Sequence, residues 1–440
     1  MPRNALSTNP GRAGFTRDRG ASLTMSEATD ASARRGRYYY GWNVVALTLA
    51  LQAVTIGISF YSFALFVVPW LDAFGVDRAQ VMFAIFLAQI GLGAVSPICG
   101  RLLDRFSARV LVVLGCAFLA GGLFVMSVAT AFWQIVVAYA TLMPIGMAFA
   151  GSLASQTLVT RWFTTRRGVA IGVSAMGTSL GGFAFPLLIA PLISKVGWEE
   201  TLAVLAALTV VLTVPAARVV LRRSPPGHGQ RVAGGPPPRQ WSTKEVLSTR
   251  TFWIPVVALV PVNAAFGGVQ FSLGAYVFDL GLEQDVAATL IAITAVSNIV
   301  GKFVFGSLGD RVDHRALFWA MALCLAVALV LYILASGFSM LAVAAALQGL
   351  STGGVLPLMG LIYAGRFGVS SFGRVMGLVN LFLTAGSVGS LYSGWVFDLA
   401  GSYVPAFVTF LILLLPGAIW MWWLPRSGFR AAAERGEQVA

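Results

Sequence analysis

Charge is scarce in this chain of 440 residues. Asp, Glu, Lys and Arg together make up 11%, less than half the share of about 25% usual in soluble globular domains, which excludes an ordinary water-soluble fold. Histidine is rarer still: His228 and His314 are the only two, and both fall in polar segments, so no imidazole stands at membrane depth to bind a metal or relay protons. The three cysteines, Cys99, Cys116 and Cys324, lie inside apolar runs and offer neither a disulfide framework nor a Cys-His zinc site. No paired carboxylate, metal cluster or His-assisted nucleophile stands out, so the chain is not expected to be an enzyme, and no metal or cofactor is implied. Apolar residues are what it has in quantity. They make up 58% of the chain, enough for twelve helices of about 20 residues each, with short loops and one longer central segment. The expectation is an all-α polytopic membrane protein.

Apolar windows at 43–68, 80–99, 110–130, 133–158, 168–193, 201–221, 252–276, 286–308, 316–335, 339–363, 375–397 and 404–424 mark the expected spans. A net charge of +13 would suit nucleic acid or an anionic surface, and position decides between them. With the N-terminus taken as cytoplasmic, 27 of the 30 Lys and Arg residues fall in cytoplasmic segments and their flanks. Arg78 and Lys195 fall outside, and Lys302 remains within a span. This is the positive-inside pattern. The basic balance therefore reports orientation in a lipid bilayer, with both termini cytoplasmic and the plasma (inner) membrane the expected location, and no nucleic acid is needed as partner.

Residues 1–40 carry seven arginines and no apolar core, which argues against a signal peptide and predicts a disordered cytoplasmic tail; Met25 is a candidate start. Residues 222–250 contain Pro225-Pro226, Gly234-Gly235, Pro236-Pro237-Pro238 and six cations, a composition that cannot form a packed core. They predict a cytoplasmic linker between six-helix bundles at 41–221 and 251–425, with a cytoplasmic tail at 426–440.

The two bundles echo each other. Gly100-Arg101-Leu102-Leu103-Asp104-Arg105-Phe106-Ser107-Ala108-Arg109 follows the second span, and Gly306-Ser307-Leu308-Gly309-Asp310-Arg311-Val312-Asp313-His314-Arg315 follows the eighth, an offset of 206. Gly168, Gly172 and Gly181 of the fifth span recur as Gly373, Gly377 and Gly386 of the eleventh, an offset of 205. Two pairs at nearly one spacing argue for a duplicated six-helix unit. The Gly-x-Leu-x-Asp-Arg-x-x-x-Arg signature resembles the loop signature of the major facilitator superfamily, and the resemblance covers the whole chain. It implies twelve transmembrane helices in two pseudo-symmetric six-helix bundles. In such a loop the glycine lets two helices approach closely, the aspartate can face the positive N-terminal end of a neighbouring helix, and the arginines can pair across a cytoplasmic gate. Gly100, Asp104, Arg105, Arg109, Gly306, Asp310, Arg311 and Arg315 are thus gating candidates, with solvated loop charge as the plainer alternative.

Within the superfamily, Tyr40-Gly41-Trp42, Tyr61-Ser62-Phe63 and Arg161-Trp162-Phe163-Thr164-Thr165-Arg166-Arg167-Gly168 look like the oxalate/formate antiporter and monocarboxylate transporter branch. Asn298-Ile299-Val300-Gly301-Lys302-Phe303-Val304-Phe305-Gly306 resembles that branch's Asn-x-x-Gly-Arg-x-x-x-Gly pattern, whose arginine binds the substrate carboxylate. Here the cation is Lys302, which keeps the charge and loses the planar two-point fork. Independently of any family, a lysine near mid-helix costs about 2.5 to 3.5 kcal/mol on insertion scales, and all 17 acidic residues lie outside the spans or at their edges. Either a substrate anion supplies the counter-charge, or the side chain snorkels to the cytoplasmic face roughly 9 Å away. Thr294, Asn298 and Lys302 lie at i, i+4 and i+8 on one helix face, which favours the anion site.

Polar stripes recur elsewhere: Gln52, Thr55, Ser59 and Ser62 in the first span, Asn263 and Gln270 in the seventh, Gln156 in the fourth, Gln348 with Thr352 in the tenth, and Asn380 with Thr384 in the eleventh. The substrate-binding candidates are Lys302, Asn298, Thr294, Tyr61, Gln52, Ser59, Asn263, Gln270, Gln156, Asn380 and Thr384; interhelical hydrogen bonding is the alternative for each stripe. Gly177-Thr178-Ser179-Leu180-Gly181-Gly182 resembles the superfamily's antiporter motif, with close helix packing the preferred meaning. An empty carrier would have to occlude an uncompensated cation, whereas a bound monocarboxylate neutralises it, so anion exchange is favoured over uniport. Proton symport stays open, weakened by Asn298 where proton-coupled members of the family carry an aspartate. The expected function is secondary active transport of a small organic anion, foremost a monocarboxylate, by alternating access as a monomer. The alternatives are an exporter of neutral or hydrophobic solutes, including drugs, and a transporter-like membrane sensor or scaffold.

Overall fold

The computed structural model describes residues 39–223, 240–282, 284–335 and 337–426. All but the last two residues of the expected 1–40 tail, Met25 among them, the Pro-rich middle of the 222–250 linker with His228, and all but the first residue of the 426–440 tail lie outside the described residues.

Among the described residues twelve helices are long and apolar enough to cross a bilayer, and all of them belong to the unit that begins at Gly41. In chain order they are α1 Gly41–Phe74, α2 Gln80–Arg105, α3 Ala108–Ser127, α4 Phe132–Trp162, α5 Arg167–Val196, α6 Trp198–Val220, α7 Arg250–Val277, α8 Thr289–Gly309, α9 His314–Leu334, α10 Phe338–Phe367, α11 Val369–Ala400 and α12 Val404–Trp423. Most outrun the apolar window that predicted them, because helical hydrogen bonding continues into the polar interface after the hydrocarbon stretch ends. Between α6 and α7 a short helix, Thr243–Ser248, is closed at its start by a capping box in which Ser242 accepts from the Glu245 amide.

Four spans are interrupted within their length. In α1 the turn Gly57–Tyr61 is π-helical; the Ser62 amide and hydroxyl both donate to Gly57 O, at 3.0 and 2.8 Å. α4 is interrupted at Thr141 and Gly151, α10 at Gly354, and α11 by a 3₁₀ turn over Thr384–Ser387. Such breaks are tolerated at membrane depth where backbone is buried in protein or lines a cavity.

The bundles α1–α6 and α7–α12 meet along two seams, α2 against α11 and α5 against α8. Both seams are glycine-lined, and backbone faces backbone. A Cβ on Gly100 would run into the Gly373 carbonyl, one on Gly377 into that of Ser96, one on Gly168 into that of Gly306, and one on Gly172 into that of Lys302. Within each bundle the same device brings α5 onto α1, where Gly177 and Gly181 face the Leu49 and Ala53 carbonyls, and α10 onto α8, where Gly349 and Gly353 face those of Thr294 and Asn298. Lipid offers no hydrophobic drive for helices to associate, so close van der Waals approach does that work.

Candidate functional site

Each seam ends in an aspartate that caps a helix of the other bundle. Asp104 accepts from the Gly373 and Arg374 amides at 3.0 and 2.7 Å, and Asp310 accepts from the Gly168 and Val169 amides at 2.7 and 3.1 Å. The duplicated loop thus grips the duplicated helix start across the molecule, joining carboxylate to unpaired amides and to the positive end of the helix dipole. We call this the aspartate face. Arg105, Arg109 and Arg311 stand exposed on it and form no ion pair among the described residues. Arg315 pairs within its own loop, with Asp313 at 3.3 Å. The arginine that reaches Asp104 is Arg161 of α4, at 3.2 Å, and it also donates to Leu103 O at 2.7 Å. Its position 57 residues downstream gave no local signal. Asp104→Asn is expected to lower the thermal unfolding midpoint more than Asp310→Asn, since the first loses an arginine pair as well as a charged cap, and hydrogen bonds to charged groups are worth about 1.5 to 3 kcal/mol. Equal midpoints in the two variants would count against the Arg161 pair.

Lys302 is 4% exposed. It does not snorkel. Its Nζ crosses the α5–α8 seam and donates to Thr178 Oγ1 at 2.5 Å and Ser179 Oγ at 2.7 Å. Ser179 Oγ donates in turn to Asn298 Oδ1 at 2.9 Å, Asn298 Nδ2 donates to Thr352 Oγ1 at 3.0 Å, and Thr352 Oγ1 donates to Gln348 O at 2.9 Å. An ordered chain of hydrogen bonds therefore runs from α5 through α8 to α10. Among the described residues no carboxylate lies within ion-pair distance of Lys302, and two of its three ammonium protons are engaged. The hydroxyls of Thr178 and Ser179 escaped the sequence reading because their glycine-rich stretch reads as packing. It is packing on the α1 side; the turn that carries the glycines to α1 carries the hydroxyls to α8.

The other candidates scatter among different contacts. Gln52 is buried against α5, its Nε2 donating to Ser174 O and Oγ, each at 2.8 Å. Thr294 donates to Leu290 O at 2.9 Å and Asn263 to Leu259 O at 3.1 Å, each on its own helix. Thr384 donates to Asn380 O at 2.9 Å and sits where Gly93 of α2 leaves room. Tyr61, 43% exposed, lays its ring where Gly182 lacks a side chain. Of the other ten candidates, Asn298 alone is joined to Lys302 through these hydrogen bonds. Ser59 Oγ and the amide oxygens of Gln52, Gln156 and Gln270 are buried without a hydrogen-bond partner among the described residues.

Twelve spans in two related bundles, touching along two backbone seams and tied at one face by exchanged helix caps, have the build of a membrane transporter. The sequence profile of the Major Facilitator Superfamily matches residues 49–332 and 279–439, and the chain belongs to that superfamily: it is a multi-pass membrane transporter and not an enzyme. The chain is similar to "Monocarboxylate transporter 13" of Rattus norvegicus, 28% identical over 388 residues covering 86% of this chain and 87% of the relative. It is also similar to "Agnestins efflux protein AgnL12" of Paecilomyces divaricatus, 24% identical with 72% of each chain covered. In fold it resembles the human organic anion transporter MFSD10 (TETRAN), with a TM-score of 0.69 at 16% identity over 87% of this chain and 99% of the other. The E. coli fucose:proton symporter FucP gives a TM-score of 0.68 at 15% identity, over 87% and 98%.

Proposed function

We propose that this transporter carries small organic monocarboxylates across the plasma membrane by alternating access, with Lys302 as the carboxylate ligand and both termini cytoplasmic. The observation that carries the reading is the buried ammonium held by neutral hydroxyls. A cation in low dielectric with no counter-charge is costly, and a carboxylate that completes its third donor site, or replaces Thr178 and Ser179, supplies the missing charge. Such replacement would also release a polar tie between the bundles, coupling cargo to the movement of α8 on α5. The unpartnered acceptors on α1, α4 and α7 are where a hydroxyl-bearing or hydrated cargo would find further contacts. The name of the Rattus norvegicus relative agrees with the cargo class. Exchange of anion for anion follows from the same arithmetic, because an unloaded site must be occluded with its charge uncompensated.

Ser179→Ala tests the tie. It removes one neutral acceptor from Lys302 and breaks the link to Asn298, so Lys302 should bind carboxylate more readily while the bundles lose a contact. Counterflow in proteoliposomes is expected to show a lower KM for the anion, by about tenfold, as one hydrogen bond to a charged group implies. An unchanged KM would separate Ser179 from the cargo. Imposed pH gradients distinguish exchange from symport: uptake that ignores the gradient and needs internal anion is exchange. The second reading, export of neutral or hydrophobic solutes, is favoured by the efflux name of the Paecilomyces relative. It requires neutral cargo to move equally well in Lys302→Ala.

A further inference from the structure

A second cationic site lies at the aspartate face, away from Lys302. There the start of α5, the α8–α9 loop, the end of α10, the start of α7 and the segment after α12 line a half-open cavity of about 500 Å³. Arg167, Arg366, Arg426, His314, Asp310 and Thr249 are among its walls. Among the described lining residues three guanidinium groups face one carboxylate, which is already taken by the Gly168 and Val169 amides; Asp313, behind the lining, also acts on Arg366. Arg366 is fixed in place by protein carbonyls: it donates to Ile362 O at 3.2 Å and Pro425 O at 2.7 Å, and its Nη1 stands 3.4 Å from His314 Nδ1. No carboxylate lies within ion-pair distance of it among the described residues. Arg167 likewise spends its Nε on a carbonyl, Phe163 O at 2.9 Å. Positioned guanidinium forks with donors to spare, beside threonine hydroxyls, match the several oxygens of a phosphate better than the two of a carboxylate, and the volume leaves room for what the phosphate is attached to.

We propose that this cavity is a regulatory site for a phosphate-bearing anion, either a phospholipid headgroup or a soluble phosphate compound. Its walls come from both bundles, Arg167 from the first and Arg366, His314 and Asp310 from the second. The site is whole only while Asp310 caps α5. An occupant therefore binds one state of the carrier and shifts the population toward it, slowing exchange by holding the aspartate face shut. Such a site lies outside the cargo reading and does not depend on it.

The test uses the full-length chain, purified in detergent and then reconstituted. Inorganic pyrophosphate is the soluble probe; vesicles containing phosphatidic acid, compared with phosphatidylcholine alone, are the lipid probe; sodium chloride at matched ionic strength is the control. A rise in unfolding midpoint with either probe, together with slower exchange, is the expected result, and which probe acts identifies the source. Arg366→Gln and the exposed Arg426→Gln are each expected to weaken the effect about tenfold, the worth of one charged hydrogen bond, while Lys302→Ala, read by unfolding midpoint alone, keeps the rise. The proposal is overturned if neither probe acts beyond the salt control, if both arginine variants respond like the wild type, or if Lys302→Ala abolishes the response, which would assign the probe to the cargo site.

Discussion

Replacing Lys302 with alanine is expected to reduce counterflow of a labelled monocarboxylate by about 10- to 100-fold, the range that the loss of a hydrogen-bonded charge spans. A merely structural lysine predicts something else. Its ammonium is buried against two hydroxyls, so its removal relieves desolvation as much as it deletes bonds, and the unfolding midpoint is expected to hold or rise. Loss of exchange with stability retained is therefore the signature of a ligand for cargo. Lys302→Arg should restore only part of the activity: it keeps the charge, yet the larger fork must fit where Gly172 presses against the Lys302 carbonyl and no extra width is available. Undiminished anion exchange by Lys302→Ala would remove this residue from the site and leave the neutral-cargo reading in its place.

Gly373→Val is expected to lower exchange at least tenfold in a protein that still folds. A side chain there would strike the Gly100 carbonyl and the Asp104 carboxylate, which the rest of the α2–α11 seam fixes. Overpacking of this kind costs about 1 to 3 kcal/mol, enough to move a two-state carrier away from the form in which the aspartate face is closed. The direct readout is a cysteine placed at Ser96, which that seam buries completely. Its reaction with a hydrophilic maleimide should quicken by about tenfold in the valine background. A reaction rate unaffected by the valine would mean that the seam yields locally and carries no control over the two bundles.

The twelve spans and their duplication were open to a reader of the sequence because hydrocarbon thickness fixes a minimum apolar length and a repeat doubles every weak signal. Asp104 and Asp310 were legible for the same reason: a carboxylate at one offset and a glycine-led helix start at nearly the same offset invite each other. Periodicity failed where the helix is not regular. The stripe Gln52, Thr55, Ser59, Ser62 assumes an unbroken 3.6-residue turn, but the π-turn at Gly57–Tyr61 slips the register, and Ser62 closes that turn instead of facing outward. Gln52 turned to Ser174 because the glycines of α5 bring that helix within reach of α1. Arg161, Thr178 and Ser179 gained their partners through contacts between separate spans, which spacing along one chain does not encode.

The two seams have a bearing on how fast such a machine turns over. Where carbonyl oxygens rest on glycine Cα atoms, parting the surfaces frees almost no rotamers and rejoining them freezes almost none, and the weak C–H···O attractions given up are small and alike on each pass. Motion along such a track meets little friction, so the pace of the cycle falls to the few polar ties that must snap and re-form, a small number of side chains that evolution or a designer can retune one at a time.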